Sequence, residues 1–165
     1  MSPTFIASED DAAQTLHDHE PINTQEDLPK GKYASRSLAR IVAFQVLYQD
    51  DLNPGSAEAF GEEFLHEELP DHEPIRQFTQ SLIDGTLQNK TEIDAKLEQT
   101  TENWTVSRMN STDRNILRLA TYEMLWMATP KPVVINEAVE LAKQFGTADS
   151  AGFVNGILDK LRMEN

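Results

Sequence analysis

Residues 132–161 read PVVINEAVELAKQFGTADSAGFVNGILDKL, and the spacing of their apolar side chains decides the fold class. Pro132 suits a first helical turn, where its missing N–H has no partner to lose. After it Ile135, Ala138, Val139, Ala142 and Phe145 recur at steps of three and four, the period of a helix with one face turned inward. Gly146 fits the stop after that helix. Asp149 or Ser150 can cap the next, in which Phe153, Val154, Ile157, Leu158 and Leu161 repeat the pattern. Nothing in the stretch alternates with the period of a strand.

The same period runs upstream. Thr-Pro-Lys-Pro at 129–132 breaks a strongly apolar helix whose inner stripe is Ile116, Leu117, Ala120, Met124 and Leu125, capped by Ser111 or Thr112 with Asp113 in its first turn. Before it, Thr91 and Asp94 form a weaker capping box for a helix presenting Ile93, Leu97 and Trp104. Pro74 opens a helix carrying Ile75, Phe78, Leu82, Ile83 and Thr86 or Leu87, and Ser56 one carrying Phe60, Phe64 and Leu65. Asn53-Pro54-Gly55 ends the first helix, SRSLARIVAFQVLYQ (35–49), which is apolar or small from Leu38 to Tyr48. The fold class is all-α, about seven helices in two small bundles.

The 165 residues include no cysteine, which excludes disulfides, thiolate metal sites and a cysteine nucleophile. No apolar run approaches the roughly 18 residues of a membrane span, and the N-terminus lacks the positive region of a signal peptide. A cytoplasmic protein is expected. The net charge of -14 argues, taken whole, against nucleic acid as a partner. Its distribution argues otherwise. Residues 1–29 carry seven acids and no base, and residues 50–74 nine acids and no base, whereas KGKYASRSLAR (30–40) carries Lys30, Lys32, Arg36 and Arg40 and no acid. A confined basic segment in an acidic chain is either a solvated start to a helix or a contact for an anion.

Residues 1–29 hold only Phe5, Ile6, Leu16, Ile22 and Leu28 as large apolar side chains, too few to offset the entropy of ordering the backbone. The domain division is therefore a disordered acidic tail ending in a basic segment, 1–32, and a helical domain, 33–165. His17 and His19 stand in HDHE within that tail, which offers no fixed geometry for a metal. Glu137 and Glu140 lie one helical turn apart, but a paired-carboxylate site wants histidine where Lys143 stands. With no phosphate loop and no nucleophile elbow either, neither enzyme chemistry, metal nor cofactor is expected.

SRSLARIVAFQVLYQ, MNSTDRNILRLATYEML and the opening stretch together resemble the signature segments of the NusB family of bacterial transcription antitermination factors, in order, over roughly residues 33–163. The resemblance implies two three-helix bundles and a factor that binds single-stranded boxA RNA of ribosomal RNA operons with the ribosomal protein NusE. That complex would join the RNA polymerase elongation complex through other Nus factors, with no direct contact to DNA and none to membrane. It carries RNA contact to Arg36 and Arg40, with Lys30 and Lys32 just upstream, to Tyr48, and to Asp149 and Phe153 in the turn before the last helix. Asp113 matches an acidic position at the NusE contact. Tyr33 is an additional stacking candidate, since single strands are held by cations along phosphates and by aromatic faces.

Each assignment has a plainer alternative. Tyr48 and Phe153 could fill the core, Asp149 could cap its helix, Asp113 could serve the helix dipole, and Asn155 and Gly156 could serve helix packing. Two departures from the family pattern, Ser37-Leu38 in place of arginines and Gly152 in place of a lysine, imply weaker RNA binding by the protein alone and a shallower salt dependence. Two rivals remain: the NusB-like domain that begins certain rRNA cytosine methyltransferases, for which this chain has no following catalytic domain, and an interaction module of ribosome biogenesis that touches no RNA.

Overall fold

The computed structural model describes residues 35–165. The acidic tail, Lys30, Lys32, Tyr33 and the HDHE cluster lie outside the described residues. Seven α-helices follow in order: α1 (Ser35–Leu52), α2 (Ser56–Glu68), α3 (Glu73–Gln88), α4 (Lys90–Thr100), α5 (Ser111–Trp126), α6 (Lys131–Phe145) and α7 (Ser150–Glu164), with a short 3-10 turn at Val106–Arg108. No strand occurs among the described residues. One group is α1 with α2 and α3; the second is α5 with α6 and α7, with α4 packed across α5 and α7.

Helix α5 joins the groups, touching α1, α3, α4, α6 and α7. A helix surrounded in this way must bury more than one stripe. Ile116, Leu117, Leu119, Ala120 and Met124 are buried, and so are Asn115, Arg118, Thr121 and Glu123. Ile75, Leu82, Ile93, Leu97, Leu158 and Leu161 complete the most enclosed part of the core, each contributing about 2 kcal/mol by leaving water.

Several helix starts differ in detail from the sequence reading, because a better acceptor lies nearby. Ser56 does not cap α2: the Asp50 carboxylate accepts from the Gly55 and Ala57 N–H groups at 3.1 and 3.0 Å, while Gly55 takes φ 97°. Asp94 forms no capping box with Thr91 but binds Arg118 at 2.8 and 2.9 Å. Asn110 rather than Ser111 or Thr112 caps α5, its Oδ1 accepting from the Asp113 N–H at 2.8 Å. Phe60, expected in the inner stripe of α2, is 63% exposed, leaving Leu65 buried and Phe64 half-buried. Trp104 lies beyond the end of α4, in the loop before the 3-10 turn.

Polar side chains bridge α1 and α5 at both ends. At one end Arg40 is clamped by Glu123; at the other Asp51 accepts from Arg114 at 2.7 and 2.9 Å and from Asn115 at 2.9 Å, with Arg118 3.6 Å away. Burial pushes the Asp51 carboxyl up, but the hydrogen bonds from Arg114 and Asn115 and the charges of Arg114 and Arg118 more than offset this and hold it below the usual carboxylate range. The two ties fix the antiparallel register of α1 on α5.

Candidate functional site

The basic helix start and the turn between α6 and α7, far apart in sequence, lie at different points along α1. Its N-terminal end carries Arg36, half-buried with its guanidinium 4.2 Å from the Phe78 ring centroid, a cation–π contact to α3. Beside it the Ser37 hydroxyl donates to Glu137 of α6 at 2.8 Å. Phe44, two turns further on, meets Phe145 at the end of α6 with ring centroids 5.1 Å apart, and Tyr48 at 5.9 Å. The turn that follows Phe145 carries Asp149 and leads into Phe153. Tyr48 and the α6–α7 turn thus flank one aromatic cluster, and Arg36 lies twelve residues from Tyr48, about 18 Å along the helix.

Arg40 has surroundings its sequence assignment did not anticipate. The side chain is 3% exposed, its Nε and Nη2 donating to both Glu123 carboxylate oxygens between 2.7 and 3.2 Å, with Glu137 3.4 Å from Nη1. A guanidinium with its fork occupied by a buried carboxylate cannot reach a phosphate without leaving that carboxylate unpaired. In this structure Arg40 positions the helix start on which Arg36 stands.

Gly146 ends α6 as read, with φ -96°, and it is held by space: a Cβ on it would fall 2.4 Å from Ser150 Oγ and 2.8 Å from the Ala142 carbonyl. Ser150 Oγ in turn accepts from the Thr147 N–H at 3.0 Å, so this serine ties down the turn. Asp149 makes no side-chain cap and is exposed. Gly156 does not serve close packing: it is exposed, and a Cβ there would meet nothing within 4 Å. Gly152 has the same open surroundings.

Phe153 is half-buried, its ring 5.8 Å from that of Trp104 at an interplanar angle of 72°. Trp104, read into the stripe of α4 from its spacing but standing in the loop beyond that helix, is 50% exposed. Asp113 is 7% exposed; Asn110 donates to its Oδ2 at 3.2 Å, while Oδ1 is buried and accepts no hydrogen bond among the described residues. The surface of α2 and α3 is different in kind. Glu58, Glu62, Glu73 and Asp84 line a groove there with a single arginine, Arg76, a poor place for a polyanion.

No described helix is long and apolar enough to cross a membrane. Among the described residues no group of three acidic or histidine side chains could hold a metal ion.

A family model described as the NusB family matches residues 37–162. The transcription antitermination protein NusB of Geobacter sulfurreducens is 43% identical over 128 residues, which span 77% of this chain and 93% of the relative. Among solved structures, NusB of T. maritima is 34% identical with a TM-score of 0.68, covering 79% of this chain and 92% of that one. A chain from a complex of the antitermination factors NusB and NusE with double-stranded RNA is 26% identical with a TM-score of 0.73, covering 79% and 98%.

Proposed function

The chain belongs to the NusB family of transcription antitermination proteins, and from that premise we propose that it binds single-stranded boxA RNA of ribosomal RNA operons together with the ribosomal protein NusE. The observation that carries the reading is the placement along α1: Arg36 at its start, then Tyr48, Phe145 and the exposed Asp149 around the α6–α7 turn. Cations hold phosphates, aromatic faces receive bases, and an exposed carboxylate accepts from base amino groups and so discriminates among them. Lys30 and Lys32, which precede Arg36 in the sequence, and Phe153, at the start of α7, are proposed to contribute as well. The similar chain bound to NusE and RNA supports this partnership.

Asp113 is the proposed contact to NusE. Its carboxylate stands in the first turn of α5, and a basic partner is the matching chemistry. The mechanism is cooperative loading: each of this chain, NusE and RNA lowers the ordering cost for the others, and the assembly then joins elongating RNA polymerase in the cytoplasm through other Nus factors. The role is one of binding and requires no cofactor.

Anisotropy of a labelled boxA oligonucleotide, titrated at low salt with and without NusE, tests the reading. Binding that tightens when NusE is added is expected. Absence of binding in both conditions would favour the alternative, an accessory protein-interaction module of ribosome biogenesis or rRNA modification.

A further inference from the structure

The loop between α4 and the 3-10 turn places Trp104 where folding alone does not need it. Half of a side chain that could contribute about 2–3 kcal/mol by burial stands in solvent. Its backbone is held on both sides: the Thr101 hydroxyl lies 2.6 Å from the Trp104 carbonyl, and the Val106 N–H donates to Glu98 at 3.0 Å. Lys160 of α7 reaches Glu102 at 3.3 Å, drawing the loop toward the helix that carries Phe153. The edge-to-face contact with Phe153 uses at most one face of the indole. Flanking Phe153 on α7 are Gly152 and Gly156, both exposed and both with empty space where a Cβ would stand. A helical glycine costs roughly 0.5–1 kcal/mol relative to alanine, and packing gives no reason for these two; bare backbone does allow a flat ligand to come close.

We propose that Trp104, seated on Phe153 beside the bare glycine surface of α7, is a nucleobase-stacking platform that continues the RNA path beyond the α6–α7 turn. The proposal rests on the RNA-binding reading above and adds a subsite to it. A fixed aromatic ring with an open face receives any base with little ordering cost, so this subsite contributes affinity rather than sequence preference.

The test uses the full chain with NusE and a labelled boxA oligonucleotide. In a Trp126→Phe background Trp104 is the single tryptophan, and its emission is expected to be quenched as RNA is added. Trp104→Ala should weaken RNA binding about fivefold or more, and Trp104→Phe should restore part of the loss. If Trp104→Ala binds RNA within twofold of the wild type, the platform is refuted while RNA binding itself stands. If the emission responds to NusE alone and Trp104→Ala weakens NusE binding without RNA, the residue belongs to the protein interface and the proposal fails. A wild-type chain that binds no RNA at all would overturn the reading beneath it.

Discussion

Arg40 of α1 and Glu123 of α5 form a bidentate ion pair in which both side chains are almost fully removed from water, 3% and 2% exposed. The pair lies between the two helix groups, four residues after Arg36. Removing Arg40 leaves the buried Glu123 charge without this partner, which costs about 3–5 kcal/mol, whereas removing Glu123 leaves Arg40 with Glu137 3.4 Å away. Arg40→Ala should lower the free energy of unfolding in urea by that amount, and Glu123→Ala by less. Arg36→Ala, at a half-buried site, should weaken RNA binding with a much smaller stability loss. Equal stability of the wild type and Arg40→Ala would remove the positioning role given to Arg40.

The opposite end of α1 predicts a pH dependence. The Asp51 carboxyl titrates below its unfolded value, so its contribution to stability is complete above the unfolded pKa and is lost as pH falls through the folded one. Glu68 acts in the other sense: burial first, and the charge of Glu67 second, raise its carboxyl, so its share favours the folded state at low pH and fades as pH rises. Thermal melts of Asp51→Asn across the acidic range should show a lower Tm at neutral pH and a smaller fall in Tm on acidification than the wild type shows. Parallel curves would mean that Asp51 is not a linked group.

Gly146 is held by space and not by dihedral angle. Gly146→Ala puts a methyl group against Ser150 and the Ala142 carbonyl, so the turn must shift, at a cost of about 1–3 kcal/mol. Because Asp149 rides on this turn, RNA affinity should fall along with stability although residue 146 touches no RNA in this account. A Gly146→Ala variant with unchanged Tm would show that the turn can yield freely.

Gly152 offers the reverse change. Its surroundings are open, so Gly152→Lys adds a cation beside Phe153 without a clash and replaces a helical glycine by a better helix former. Stability should rise by roughly 0.5–1 kcal/mol. RNA affinity should rise as well, and the slope of log K against log salt should steepen by about 0.7 for one more phosphate contact on a single strand. An unchanged slope would place the RNA away from the start of α7.

The helices were legible because their apolar residues repeat every three or four positions, and the stripes of α3, α5, α6 and α7 are mostly buried, although Leu125, Val139, Phe145 and Phe153 are half-buried and α6 also buries Val134 and Leu141. The caps were less so, since Asp50 and Asn110 hold the helix starts that Ser56 and Ser111 or Thr112 were read to cap, and only the chain path decides among them. Charge alone could not separate Arg36 from Arg40: both are bases in one segment, and what divides them is Glu123, 83 residues away from Arg40. A carboxylate on the otherwise apolar part of α5 was the available sign of a buried pair. Trp104 was misplaced in the stripe of α4 because its spacing continues the helical period past Thr100, where the helix ends. Its contact with Phe153 exists only once α4 and α7 pack.

The path of RNA over the surface is the central claim, and photo-cross-linking reads it directly. BoxA RNA carrying 4-thiouridine, bound at low salt with NusE and irradiated, should attach to peptides that contain Tyr48 and to those from the turn before α7 through Phe153. Cross-links confined to α2 and α3, or found on NusE alone, would contradict the account.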